Sequence, residues 1–239
     1  MRWIPDRTGR FRARPFYTRD ELDHICEERV GRFLRGKYET VRFPLDTNDL
    51  TILLEQDVDD LDLYADLSAV GGEECEVEGV TIFVPGRRPR VRIARALMMQ
   101  PRREPRLRTT LAHELGHATL HAFAGRPDLT TRPLPRGDQS CLAPAWGRSP
   151  VANTRGVSSD WMEWQAAYAS GAFLVPRRAL QQVVGPRGGR GAARASSPAG
   201  ERLIRQVQEH FGVSQAAARV RLLQLHHLAE STAAPPGPS

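Results

Sequence analysis

Lysine, cysteine and long apolar runs are what this 239-residue chain has least of. Lys37 is the only lysine, so arginine carries almost all of the positive charge. Cys26, Cys75 and Cys141 form an odd, widely spaced set; this excludes a disulfide framework and points to a reducing compartment, with the cytoplasm as the expected location. No apolar run approaches the roughly 18 residues that a membrane-spanning helix needs. The longest, around Trp164 to Val175, is interrupted by small polar residues, and no membrane partner is expected. Met1 to Asp6 bring positive charge with no apolar stretch behind them, so a secretory signal is not expected either. No internal repeat is visible.

The remaining composition is that of one globular core with appended pieces: 40% of the residues are hydrophobic. The net charge is +6 and the pI about 9.9. Abundant Arg, Ala, Gly and Pro fit a GC-rich coding sequence, and a basic surface for nucleic acid or an acidic partner is the functional alternative. The charge is uneven. Residues 55–78 are strongly acidic, whereas 87–108 and 177–194 are basic. The second basic run contains Gly185 to Gly191 and leads to Ser196-Ser197-Pro198, a composition that reads as a linker over 185–200.

Against this background one segment carries chemistry. His113-Glu114-Leu115-Gly116-His117 reads HExxH, inside a stretch where Leu107, Leu111, Leu115 and Ala118 recur at helical spacing. Residues i and i+4 share a helix face, so His113 and His117 can offer both imidazoles to one Zn²⁺ ion, with Mn²⁺ the alternative. Glu114 lies about 100° round the helix. That keeps it out of the donor set but within reach of the water such a site activates, where a general base is needed. This is the pattern of a zinc hydrolase.

A third donor is required, and several residues compete. His121 extends the i+4 series, but three donors over two turns spread by about 12 Å along the axis and cannot surround one small ion. His121 is therefore expected behind the donors or facing solvent. The glycine-turn continuation of metzincins is absent. Cys141 sits in a Gly-, Pro- and Arg-rich loop. Glu163 is preferred, because it opens an Ala-rich helical stretch ending at Pro176; Asp160 is its rival, or else the N-cap of that helix. Tyr168 and His121 are candidates for stabilising an oxyanion.

Arg106-Leu107-Arg108-Thr109-Thr110-Leu111-Ala112 running into HELGH and on to Leu120-His121, followed by Glu163-Trp164-Gln165-Ala166-Ala167 and Phe173-Leu174-Val175-Pro176, resembles the ImmA/IrrE family of metallo-endopeptidases. The strand-like Glu78 to Gly86 before the helix fits the same likeness, which spans roughly residues 40 to 228. The resemblance implies metal ligation by His113, His117 and Glu163, with Glu114 as the base. It also implies a protein substrate, typically a helix-turn-helix repressor whose cleavage relieves repression in a stress or mobile-element response. Ala167 stands where the family usually has Asn, and Val175 where Met is common.

The expected fold is α+β: a zincin-like core with the HExxH helix, a small mixed or antiparallel sheet, and a C-terminal helical hairpin. Residues 1–17 read as an Arg-rich flexible arm and 18–184 as the metallopeptidase core. A helix over 18–36 is predicted, with Thr18 and Glu21 as a capping box. Strands are predicted around Leu50 to Leu54, Leu61 to Ala65, Val80 to Val84 and Arg90 to Ala94, the last pairing with its predecessor across a Pro-Gly turn and suiting an edge or half-exposed position. Residues 124–158 read as a long loop able to act as a lid. Residues 201–230 form a helix-turn-helix-like pair, closed by Gly212 and reopened by Ser214, and 231–239 a disordered tail. With Arg219 and Arg221 on its surface, that pair supports the rival function, a DNA-associated regulator with structural zinc.

Overall fold

The computed structural model describes residues 1–70, 76–126, 145–148 (backbone only), 160–185 and 192–229. Cys75, Cys141, most of the loop expected over 124–158, the run 186–191 and the tail 231–239 lie outside the described residues.

The arm expected over 1–17 is instead a β-hairpin. Strands β1 (Arg2–Pro5) and β2 (Ala13–Phe16) pair antiparallel, with Trp3 opposite Pro15. The Asp6 carboxylate closes the connection by accepting from the Thr8 and Phe11 backbone N–H groups. Phe11 is buried among Phe83, Ala124, Trp161 and Met162. Arg10 forks onto the Asp160 carboxylate at 2.7 and 2.6 Å. Composition hides this hairpin because Phe83, Asp160 and Trp161, which anchor it, lie far off in sequence.

Helix α1 (Arg19–Tyr38) starts with the full capping box of Thr18 and Glu21. The strand expected around Leu50 to Leu54 is helix α2 (Thr47–Glu55). Asp46 caps it through the Asp49 N–H at 2.7 Å, and Leu50, Leu53 and Leu54 are all buried at helical spacing, which overrides the β-propensity of Thr51 and Ile52.

Strands β3 (Asp60–Ala65), β4 (Glu76–Ile82), β5 (Arg90–Ala94) and β6 (Ala145–Arg148) make a mixed sheet in the order β3-β5-β4-β6. β5 runs antiparallel to β4 and parallel to β3. It is thus internal, not an edge, although Val91 and Ile93 face inward and Arg92 outward, as a half-exposed strand would.

After the single turn α3 (Arg95–Met98) comes α4 (Glu104–Leu120), which carries HExxH and has Pro105 in its first turn. It is buried on nearly all sides, lying against β4, α2 and α5 (Trp161–Leu174). The α4–α5 crossing is close because Gly116 has no side chain: a Cβ there would sit 3.1 Å from both Cα and O of Ala166.

Helix α6 (Arg177–Val184) follows. The linker expected over 185–200 is largely structured where it is described: β7 (Ala193–Arg194) pairs in parallel with β8 (Leu228–Ala229), and Ser197 caps α7 (Pro198–Phe211) through the Gly200 N–H. Gly212 (φ 58°) ends α7 in the left-handed conformation, and Ser214 caps α8 (Gln215–Gln224). Helices α1, α2, α4, α5, α7 and α8 share one hydrophobic core. Arg221 is no surface charge: it is 1% exposed, pairs with Asp23 of α1 at 2.6 Å and donates to the Val175 carbonyl at 2.9 Å. Arg108 of α4 likewise donates to the Phe211 and Gly212 carbonyls, tying the end of α7 to the HExxH helix.

Candidate metal centre

His113 and His117 project from successive turns of α4 and are completely buried. Their Nε2 atoms lie 3.1 Å apart. Glu163, in the first turn of α5, brings its carboxylate to 3.2 Å from each: Oε2 to His113 and Oε1 to His117. The three ligand atoms lie within 4.8 Å of one another, the only such group of three or more metal-type donors among the described residues. A tetrahedral zinc with bonds of about 2.0–2.1 Å has donors about 3.3–3.4 Å apart. Two imidazole nitrogens and a carboxylate at these separations therefore fit one such ion. With a 28% exposed side chain, Glu163 marks the side on which the centre meets solvent.

Charge follows the geometry. Burial drives His113 down to about 4, against the raising effect of its hydrogen bond with Glu163. Burial opposes ionisation of Glu163, but hydrogen bonds with His113 and His117 outweigh it and hold the carboxyl far below the usual range. His113 and Glu163 are thus in the neutral-imidazole and carboxylate forms that bind metal.

Glu114 is adjacent in sequence but lies outside the triad. Its Oε2 accepts from the Thr81 hydroxyl at 2.5 Å. Its Oε1 is buried with no hydrogen-bond partner among the described residues. Burial raises its pKa well above the ordinary value, despite the Thr81 bond and with the Glu163 charge adding to the effect. A dication held nearby would act the other way and favour the carboxylate. Thr81 and Gly79, both on β4, were not singled out by sequence. The available signal was a glycine inside a strand pattern, which often marks a close approach.

The remaining candidates are placed as follows. Asp160 is not a donor: its side chain caps α5 through the Met162 N–H and pairs with Arg10. His121 is buried behind His117, the two Nδ1 atoms 3.0 Å apart, and its Nε2 lies 2.9 Å from Gln165 Oε1. Tyr168 does not face the centre; its hydroxyl donates to Asp23 at 3.1 Å, in the buried network of Arg221. Cys141 lies outside the described residues.

Two imidazoles of an HExxH helix meeting a carboxylate from the neighbouring helix form the donor arrangement of a metallopeptidase. The family model of the IrrE N-terminal-like domain, peptidase family M78, matches residues 85–223, and the chain belongs to this family of metallopeptidases. The match is narrower than the likeness read from sequence but includes α4, α5 and nearly all of α8. Comparison with curated proteins finds no match.

Proposed function

We propose that the protein is a metal-dependent endopeptidase, with zinc the cation its donors fit best and Mn²⁺ the alternative, and that it cleaves a peptide bond in another protein. The observation that carries this reading is the convergence of His113 Nε2, His117 Nε2 and the Glu163 carboxylate on one point, beside a glutamate with one oxygen unengaged among the described residues. When bound, the cation polarises the scissile carbonyl and makes a water more acidic. His113 and His117 hold it through Nε2, and Glu163 completes the set from α5. Glu114 takes the proton of the attacking water and hands it to the amide nitrogen, so that the amine leaves neutral. Thr81 fixes the other oxygen of Glu114 and so limits its rotation.

The likeness to ImmA/IrrE proteins supports a helix-turn-helix repressor as substrate, cleaved to relieve repression in a stress or mobile-element response. The rival reading, a DNA-associated regulator with structural zinc, keeps Arg219 exposed on α8 but loses Arg221, which is spent on Asp23 and the Val175 carbonyl. Structural zinc sites are also typically closed by four protein ligands, and three are brought together among the described residues. The test is incubation of zinc-loaded protein with the repressor encoded nearby. Wild type should cut it, and Glu114→Ala should lose about 10²–10⁴-fold in rate while keeping its zinc. Cleavage that survives the substitution removes Glu114 from the mechanism. Steeply salt-dependent binding to duplex DNA, without cleavage, would favour the rival.

A further inference from the structure

We propose that Gln165 and His121 are positioning residues of the metal centre: a hydrogen-bond chain that starts at the Pro15 carbonyl of the N-terminal hairpin fixes His117 in the tautomer that presents a bare Nε2 lone pair to the cation. The inference deepens the metallopeptidase reading and rests on it.

Only one direction of hydrogen bonding satisfies this chain. The Pro15 oxygen can only accept, so the Gln165 amide nitrogen is what faces it, at 3.3 Å. The other end of the Gln165 side chain, Oε1, then lies 2.9 Å from His121 Nε2. An amide oxygen also only accepts, so His121 carries its proton on Nε2. His121 is fully buried and has no acidic hydrogen-bond partner among the described residues, which makes it a neutral ring with its lone pair on Nδ1. That lone pair faces His117 Nδ1 at 3.0 Å, so His117 must donate from Nδ1. That leaves its Nε2, the atom 3.2 Å from Glu163 Oε1, to give its lone pair to the cation once the proton it shares with Glu163 is displaced.

Reversing any link breaks another. Turning the Gln165 amide sets its oxygen against the Pro15 oxygen. Moving the proton of His117 to Nε2 aims an N–H at the position the cation needs and leaves two lone pairs facing each other across the Nδ1 contact. Water does not relieve either fault, because His117 and His121 are 0% and Gln165 2% exposed. A ligand histidine commonly donates its other nitrogen to a carboxylate or a backbone carbonyl. Here the carbonyl is two side chains away, on β2. The hairpin is held to α5 by Arg10 on Asp160 and by Phe11 on Trp161 and Met162, so its docking sets the far end of the chain.

The test uses zinc affinity, measured by competition with a chromophoric chelator, and the tautomer of His117, read by long-range ¹H–¹⁵N NMR on the metal-free wild type at mildly alkaline pH. Gln165→Leu removes the acceptor and should weaken zinc binding about 10–100-fold. The NMR spectrum should show the His117 proton on Nδ1. Unchanged affinity in Gln165→Leu, or a His117 with no proton on Nδ1, would overturn the proposal; the NMR result decides alone if Gln165→Leu does not fold. Zinc uptake by wild type that persists in His113→Ala would instead sink the metal site itself, and this inference with it.

Discussion

A Cβ on residue 79 would lie 2.6 Å from Glu114 Oε1 and 2.9 Å from Thr110 Cγ2, so the absence of a side chain there sets how near α4 can come to the sheet. Gly79→Ala should therefore displace the Glu114 carboxylate from Thr81 while leaving His113, His117 and Glu163, none of which meets that Cβ, in place. The expected result is metal stoichiometry close to wild type with peptide hydrolysis reduced at least about tenfold, read by metal analysis and a cleavage assay on the same sample. Among individual residues, the grouping of His113 and His117 was legible because their spacing is local and their chemistry uncommon, and Glu163 could join them on paper only because it opens the helical stretch that ends at Pro176. Thr81 was not, since a lone threonine on a strand gains meaning only when the helix it faces is known. Tyr168 was misplaced for the converse reason. It lies five residues from Glu163 on the same helix, and its partner Asp23 is 145 residues away in sequence.

Between elements, the contact that positions the centre is α4 against α5, since each contributes donors. Gly116→Val would press a branched side chain onto the Ala166 backbone, 3.1 Å from the added Cβ, and onto Ala169 at 3.3 Å. Backbone cannot rotate away as a side chain can, so α5 must shift and carry Glu163 from the imidazoles. A loss of about 1–3 kcal/mol in denaturant unfolding is expected, together with weaker metal binding; retention of full zinc affinity would show that the crossing does not position Glu163. The elements themselves were readable wherever cap and periodicity agreed. Thr18 with Glu21 announces α1, and Val91 and Ile93 alternate as β5 does. Around Leu50 to Leu54 the two signals conflicted, and the cap at Asp46 decided in favour of a helix. The hairpin over 2–16 went unread because Arg-rich strands look solvated until Trp161, Asp160 and Phe83 are beside them.

Across the whole molecule, the C-terminal helices are bolted to the core by arginines placed inside it. Asp23 receives Arg221 at 2.6 Å and Arg177 at 2.7 Å, and Tyr168 donates to it as well. Removing one member of a buried pair costs about 3–5 kcal/mol, because the remaining charge is left uncompensated. Arg221→Ala should fall at the low end of that range, about 3 kcal/mol, since Arg177 still reaches Asp23. The double variant Asp23→Ala/Arg221→Ala should be less destabilised than the two single losses summed, measured as a double-mutant cycle in urea; simple additivity would mean that the pair is not coupled. The architecture of helices around a small mixed sheet was legible as a class, whereas the inward use of Arg221 was not, because an arginine on an amphipathic helix ordinarily faces solvent. The Asp23–Arg221 pair spans 198 residues. A polypeptide made from its N-terminus onward has the HExxH segment and Glu163 in hand well before it has Arg221. During synthesis, then, α1 waits for its deepest counter-charge until Arg221 has been made, after both donor helices.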